Sequence, residues 1–297
     1  MQMFLEKIKK IKTRSVISKL ILLILAYICW NYIYEDKSPH VARISILGTI
    51  DDNPELLERI ANIDKDDSVK ALIVSLSSPG GSAYAGEQIF NAIQKVKLHK
   101  PVVAEARSMA ASAAYMIACA SNTIVASNSS IIGSIGVILQ FPNVKHLLDK
   151  LGVSYKTIKS SPLKGEPSPF SETNPEGIKK LQNLVSDSYH WFVKIVSKSR
   201  NIPYDKMLTL SDGSIWTGSR AKKLGLVDTI GGRDEVWNSL YELGLDKNVT
   251  KIKDWNPPKE YWFFNFKNKL TGIIDEVITS TEKTNMQGLL SIWNPQN

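Results

Sequence analysis

The sequence predicts an α/β fold built around a buried sheet. After about residue 40, apolar segments of strand length alternate with segments of helical periodicity, a pattern that is typical of this class. We expect the first strands at Val41–Ile50, Ala71–Leu76 and Pro101–Ala106. Because open α/β sheets usually build their sites in the loops that follow the strands, we expect the functional residues there.

Capping residues and the spacing of apolar side chains predict the helices. Asn53 caps the first one, with Pro54 at the first position, where a missing N–H costs least, and this helix extends to about Ile63. The third strand leads into a loop and helix at Ser112. Further helices are expected at about Ala83–Val96, at about Asn143–Leu151 and from Asn174 or Pro175 to about Ser199.

Composition and charge narrow the function classes. With 297 residues, of which 43% are hydrophobic, the chain can bury one large core, and its length allows one or two domains. The net charge of +8 is concentrated at the amino terminus, where residues 1–33 carry six Lys or Arg and one Glu. The rest of the chain has 31 basic and 28 acidic residues, a net charge of +3. It shows no stripe of basic residues with interleaved aromatic residues, so no nucleic-acid partner is expected.

The apolar run Val16–Ile33 is about as long as a helix that crosses a bilayer. Basic residues precede it, so the positive-inside rule predicts that residues 1–15 lie in the cytoplasm and that the chain after the anchor, residues 16–34, lies outside. A cleaved signal peptide is the alternative, but no small-x-small site closes the run. We therefore expect a retained single-pass anchor.

Neither a disulfide framework nor a cofactor site is predicted. Cys29 falls in the predicted anchor and Cys119 in an apolar helical run, so both are expected to be free and buried. The sequence has no cluster of His, Cys and carboxylate residues with metal-ligand spacing and no phosphate-binding loop. We therefore expect neither a metal nor a nucleotide.

The segment Ser-Met-Ala-Ala-Ser-Ala-Ala-Tyr at 108–115 places Ser112 among small residues. A serine hydroxyl is a poor nucleophile until a base takes its proton, and none of the four histidines lies in a motif that would place it beside Ser112. Lys164 is the better candidate, since prolines and a glycine hold it on a rigid loop at 160–170. A desolvated lysine can be neutral and accept a proton, although most lysines are solvated surface residues.

Three motifs of small residues occur in order along the chain. They are Ser-Ser-Pro-Gly-Gly-Ser at 77–82, Ser-Met-Ala-Ala-Ser at 108–112 and Gly-Ser-Ile-Gly-Val at 133–137. With the Lys164 loop and Trp-Thr-Gly-Ser-Arg-Ala-Lys-Lys-Leu-Gly-Leu-Val-Asp at 216–228, they resemble the short form of bacterial signal peptide peptidase A, a Ser/Lys-dyad family (peptidase family S49), over roughly residues 41–243. The resemblance implies a Clp protease/crotonase-like β-α-β superhelix, with Ser112 as the nucleophile and Lys164 as its base.

The resemblance also implies roles for neighbouring residues. The N–H groups of Gly81 and Ala113 would stabilise the oxyanion, supported by Gly80, whereas paired glycines by themselves often only make a turn. Ser134 would hydrogen-bond the Lys164 amine, and without the resemblance it would be only a polar residue of a tight turn. Apolar side chains that would suit short uncharged substrate side chains are Ile135, Val137 and Ile138.

After the cytoplasmic segment and the anchor, we expect a peptidase domain at 41–245 and an aromatic and basic extension at 246–297. Aromatic residues crowd near lysines between Trp255 and Lys269 in this extension. That composition indicates either packing on the domain or contact with the membrane surface or a neighbouring subunit.

The expected function is that of a serine endopeptidase anchored in the bacterial inner membrane, with its catalytic domain on the periplasmic side. By resemblance it cleaves apolar peptides such as remnant signal peptides, needs no cofactor and forms a ring-shaped homo-oligomer in which one site takes its serine and lysine from adjacent subunits. Two alternatives stay open. A catalytically silent membrane scaffold could have the same fold, and so could a crotonase-like enzyme that acts on acyl thioesters.

Overall fold

The structure, a computed structural model, describes residues 38–257, the backbone of residues 290–292 and, upstream, Leu23 alone. Apart from Leu23, the predicted cytoplasmic segment and the predicted anchor lie outside the described residues. Among the helices that the structure describes, none is both long and apolar enough to cross a membrane.

One sheet of nine strands forms the centre of the described chain, which confirms the predicted α/β class. The strands are β1 (His40–Ile50), β2 (Val69–Ser82), β3 (Val102–Ala111), β4 (Thr123–Ala126), β5 (Ile131–Gly133), β6 (Ile215–Thr217), β7 (Thr229–Ile230), β8 (Ile252–Asp254) and β9 (Leu290–Ile292). Their order is β6-β5-β3-β2-β1-β8, with β4 between β3 and β7 and with β9 on β2. The pairs β1–β2, β2–β3 and β3–β4 are parallel, so each needs a crossover connection.

Helices pack on both faces of the sheet. They are α1 (Pro54–Lys65), α2 (Ala83–Lys97), α3 (Ala113–Ala118), α4 (Lys145–Lys150), α5 (Pro175–Arg200), α6 (Tyr204–Thr209), α7 (Gly218–Lys223) and α8 (Arg233–Glu242). The larger core combines α1, α2, α3 and α5 with one face of the sheet. On the opposite face, α8 buries Val236 and Leu240 against a smaller core.

The predicted first helix is confirmed with its cap. The Leu56 N–H donates to the Asn53 side-chain oxygen at 2.8 Å, and Pro54 occupies the first helical position. Leu56, Ile60 and Ile63 share one buried face, as their spacing requires in a helix. The helix at the predicted Asn174 or Pro175 start is also confirmed: Asn174 caps α5, which ends at Asn201 in a left-handed conformation.

Two strands extend further than their apolar segments predicted. Strand β2 continues through Ser-Ser-Pro-Gly-Gly to Ser82, where a strand ending at Leu76 was expected, and β3 continues to Ala111. The reason is tertiary: β1 reaches far enough to pair Thr49 with Gly80 and Ile50 with Gly81, across a register irregularity between Leu47 and Thr49. The predicted strand ends were therefore wrong.

Strand β9 on β2 and two further parts of the predicted carboxy-terminal extension join the described fold. Strand β8 pairs in parallel with β1 at the edge of the sheet, and Trp255 packs partly buried against the larger core. The indole N–H of Trp255 also donates to the His40 ring at 3.4 Å. Trp255 thus packs on the domain. The other aromatic residues of the extension lie outside the described residues.

Candidate active site

Ser112 has a strained backbone at the junction of β3 and α3. Its φ of 57° and ψ of −123° lie in a region that residues other than glycine rarely adopt, at a cost of about 1–3 kcal/mol. The residue is only 1% exposed. Such strain persists only where the surrounding structure enforces it, and it is concentrated at functional sites.

Contacts on both sides of Ser112 enforce this conformation. The Ser112 N–H donates to the Gly133 carbonyl at 2.8 Å, and the Ser112 carbonyl accepts from the Met116 N–H at 3.0 Å. Helix α2 approaches α3 so closely that a Cβ on Gly86 would lie 3.0 Å from the Ala113 Cβ. All six residues of α3 are buried, so the packing fixes the helix that begins at the serine.

Ala113 is the first residue of α3 and follows the candidate nucleophile directly. The first N–H groups of a helix have no partner within that helix and carry its positive partial charge. An N–H at this position can stabilise an oxyanion that forms on a carbonyl attacked by the preceding serine. The donor role of Ala113 stays a prediction.

Gly80 and Gly81 are buried in β2 rather than in a turn. They pair with β1 on one side and, in antiparallel orientation, with β9 on the other. A Cβ at Gly81 would lie 2.1 Å from the Ile50 carbonyl oxygen, so packing alone already requires glycine at this position. The predicted role of Gly81 as an oxyanion donor stays a prediction.

The Gly81→Ala substitution should destabilise the fold. We expect the free energy of unfolding to fall by about 3 kcal/mol, because the added methyl group meets backbone atoms of Ile50 that cannot rotate away. Urea unfolding of the purified protein measures this loss. At Gly232 a Cβ would meet nothing within 4 Å, so Gly232→Ala is the control; it changes only the N-cap of α8 and should lower the free energy by about 0.5–1 kcal/mol. Equal stabilities of the two variants would contradict the packing argument.

Ser134 lies in a tight turn beside the candidate nucleophile. Its φ is 50°, and its N–H donates to the Ser214 carbonyl at 2.7 Å. The preceding residue, Gly133, accepts the Ser112 N–H, so this turn and the serine are neighbours. Ser134 is 8% exposed, and a bond from its hydroxyl to the Lys164 amine stays a prediction.

Lys164 is exposed, and its predicted role as the base of Ser112 stays a prediction. The Lys164 N–H donates to the Ser161 carbonyl at 3.1 Å in a short turn. Lys159 and the largely buried Glu166 form an ion pair that spans this turn, and the hydrogen bond from Lys159 lowers the pKa of the Glu166 carboxyl. The lysine is therefore exposed on a closed loop.

The predicted substrate-contacting residues differ in exposure. Ile135 is completely buried in the larger core, Val137 is half-buried, and Ile138 is 39% exposed. The two residues with accessible surface are thus the better placed to contact a bound peptide. Ile135 supports the turn from within the core.

Cys119 is free and buried, as predicted. Burial raises the pKa of its thiol to about 12, so the thiol stays protonated and is a poor nucleophile. Cys29 lies outside the described residues. No group of three or more His, Cys, Asp or Glu side chains within the described ranges is placed to hold a metal ion.

One feature of the site had no signal in the sequence. Strand β9 pairs Ile292 with Gly80, Ser291 with Gly81 and Leu290 with Ser82. The short apolar segment around Leu290 does not indicate which strand it pairs with, because that choice depends on an open sheet edge that forms only in the folded protein. The structure therefore identifies residues 80–82 as an edge that accepts an extended strand.

Comparison with known proteins finds two family models and several related sequences. The model of peptidase family S49 matches residues 94–247, and the Clp protease model matches residues 37–132. A putative protease of Synechocystis is 35% identical over 223 residues, which cover 74% of this chain and 80% of that protein. A putative signal peptide peptidase SppA of Enterococcus faecium is 34% identical over 246 residues, 78% of this chain and 68% of that protein.

A third relative, a putative protease of Methanocaldococcus jannaschii, is 36% identical over 187 residues. The alignment covers 63% of this chain and 60% of that relative, so the chain spans less than two thirds of its length. The S49 match includes the strained serine, the Gly133–Ser134 turn and the Lys164 loop, and the Clp protease match includes Gly80 and Gly81. The chain belongs to peptidase family S49, a family of serine proteases.

Proposed function

We propose that the protein is a membrane-anchored serine endopeptidase that cleaves apolar peptides, with remnant signal peptides as the substrate class. The observation that carries the proposal is the strained Ser112 at the amino terminus of the buried helix α3. This arrangement fixes the position of the Ser112 side chain and puts the Ala113 N–H next to it, as acyl transfer to a serine requires.

The proposed reaction is an acyl transfer in two steps. The Ser112 hydroxyl attacks the scissile carbonyl while the Lys164 amine takes its proton, and the N–H groups of Gly81 and Ala113 stabilise the oxyanion. Lys164 then gives the proton to the leaving amine. Water releases the acyl group from Ser112, and no metal or cofactor takes part in the scheme.

Substrate binding is proposed to use the edge of β2 at residues 80–82. Because this edge pairs with the antiparallel strand β9, it has the hydrogen-bonding geometry for an extended peptide. Such main-chain pairing would lead a substrate past Gly81 toward the nucleophile. Small residues around Ser112 leave room for short, uncharged side chains next to the cut.

Removing β9 should make this edge easier to reach. For a chain that ends at residue 289, β9 no longer competes with a peptide for this edge. We therefore expect the KM for an apolar peptide to fall about tenfold, equivalent to about 1.4 kcal/mol. Steady-state hydrolysis of a fluorogenic peptide measures the change. A chain that ends at residue 293 keeps β9 and is the matched control. Equal KM values for the two chains would argue against binding at this edge.

The active assembly is proposed to be a ring-shaped homo-oligomer. Lys164 is exposed, so it is accessible to a neighbouring subunit, whose serine it could serve as the base. Large apolar side chains that are exposed near the lysine loop would suit such a contact. They are Leu147, Leu151, Val153, Tyr155 and Ile158.

The proposed location is the bacterial inner membrane, with residues 16–34 as the anchor and the catalytic domain on the periplasmic side. The basic residues that precede the apolar run support this orientation. A reporter fused after residue 40 should be active only outside the cytoplasm.

Incubation of the purified protein with synthetic apolar peptides tests the proposed activity. We expect internal cleavage next to small, uncharged residues, detected as fragment masses. Intact peptide, with wild-type protein that is folded and assembled, would favour the silent scaffold. Consumption of acyl thioesters without peptide cleavage would favour the crotonase-like alternative.

A further inference from the structure

The 216–228 motif has no role in the proposed reaction, yet one of its residues is bonded to the nucleophile helix. Tyr115 in the first turn of α3 is completely buried, and its hydroxyl donates to the Leu226 carbonyl at 2.7 Å. The loop between α7 and β7 is thereby joined to the helix that begins at the candidate nucleophile.

Two other elements hold this loop in place. The Arg200 side chain at the end of α5 donates to the Gly225 carbonyl at 3.1 Å and to both carboxylate oxygens of Asp228 at 2.9 and 2.6 Å. Asp228 also accepts the Ile124 N–H from β4 at 2.8 Å. Leu226 thus lies between Gly225 and Asp228, which are both hydrogen-bonded to Arg200. Its carbonyl is therefore a rigid acceptor.

Burial and the surrounding hydrogen bonds set the charge states of Tyr115 and Arg200. Burial raises the pKa of Tyr115 well above its ordinary value, so the hydroxyl keeps the proton that it donates. Burial alone would lower the pKa of Arg200, but the hydrogen bonds to Asp228 and the nearby groups outweigh that effect and raise it. The tyrosine bond to Leu226 therefore persists over the whole pH range in which the protein can work.

This bond bears directly on Ser112 because α3 has only six residues. A helix of that length has little stability of its own, and the serine at its start is held in a strained conformation that surrounding contacts must maintain. Tyr115 follows Ser112 by three residues and Ala113 by two. A shift of the first turn would move the nucleophile and the proposed oxyanion donor together.

We propose that Tyr115 is a positioning residue, whose hydroxyl bond to Leu226 holds Ser112 and the Ala113 N–H in the geometry of acylation. The inference rests on the proposed function, because it assigns Tyr115 a role in that reaction. Misplacement of a reacting group by about 1 Å can cost about 10²-fold in rate. For Tyr115→Phe we therefore expect kcat to fall about 10- to 100-fold while KM changes less than about twofold.

The test compares two tyrosine hydroxyl deletions in the full-length protein. Tyr204→Phe is the matched control, because the Tyr204 hydroxyl bonds the His190 ring at 2.7 Å on α5 and not the nucleophile helix. For both variants, the rate of Ser112 labelling by a fluorophosphonate, kcat and KM are measured well below the melting temperature. We expect slow labelling that still reaches full stoichiometry in Tyr115→Phe and wild-type rates in Tyr204→Phe.

Equal labelling rates and equal kcat in the two variants would overturn the inference, even if Tyr115→Phe melts at a lower temperature. If Tyr115→Phe does not fold, Asp228→Asn replaces it, since this change keeps an acceptor for the Ile124 N–H and weakens only the Arg200 tie. A smaller fall in kcat at unchanged KM is then expected, and unchanged kcat overturns the inference. Absence of labelling and hydrolysis in the wild-type protein would instead refute the proposed function.

Discussion

We expect the Ser112→Ala protein to lose peptide hydrolysis almost completely, with kcat lower by about 10⁴- to 10⁶-fold. The physical reason is that the strained backbone at Ser112 holds one hydroxyl beside the first N–H of α3, and alanine removes the only atom there that can attack a carbonyl. Hydrolysis of an apolar peptide and fluorophosphonate labelling measure the loss. Binding of the peptide should persist, because the β2 edge is unchanged.

Ser108→Ala is the matched control for this substitution. Ser108 lies in the same motif on β3, is exposed and forms a hydrogen bond with Ser77. Its loss should leave labelling and hydrolysis close to wild type. Equal labelling of the Ser112→Ala and wild-type proteins would show that another residue is the nucleophile.

The second large effect is expected for Lys164→Arg, which should lower kcat by at least about 10²- to 10⁴-fold. Arginine keeps the positive charge but stays protonated under all usable conditions, so it cannot accept the serine proton. Peptide hydrolysis measured from neutral to alkaline pH checks this. Lys159→Arg makes the same chemical change and keeps the ion pair with Glu166, so it should stay active. Substantial activity of Lys164→Arg would refute the lysine base.

Mixing of two inactive chains then tests where the base comes from. Because Lys164 is exposed and accessible to a neighbouring subunit, we expect co-expressed Ser112→Ala and Lys164→Ala chains to recover activity. Random mixing leaves about a quarter of the interfaces with both an intact serine and an intact lysine. Mixed assemblies that stay at the background of the single variants would contradict the shared site but not the Ser/Lys mechanism.

The sequence predicted those features that depend on local patterns. Asn53 and Pro54 specify the start of α1 through capping and backbone geometry, and Asn174 does the same for α5. The small residues around Ser112 marked the candidate nucleophile, and the structure adds the backbone strain that such a position carries. Apolar spacing was sufficient for the α/β class, because each element must bury one face.

The sequence could not predict how far β2 extends, since its Ser-Ser-Pro-Gly-Gly segment is typical of a turn by local composition. Only pairing with Thr49 and Ile50 of β1 makes this segment a strand, and only that extension opens the edge on which β9 lies. Local propensity is weak compared with the hydrogen bonds and packing that a complete sheet supplies.

By itself, the sequence determined the fold class, the helix starts and the serine motif, because these depend on neighbours along the chain. The tertiary structure alone decided the strain at Ser112, the bond from Tyr115 to Leu226 and the exposure of Lys164. The first two depend on contacts between residues that are far apart in sequence. The third depends on which side chains are buried by packing in the folded protein. Such contacts arise only when the sheet and its helices have assembled, and no local pattern encodes them.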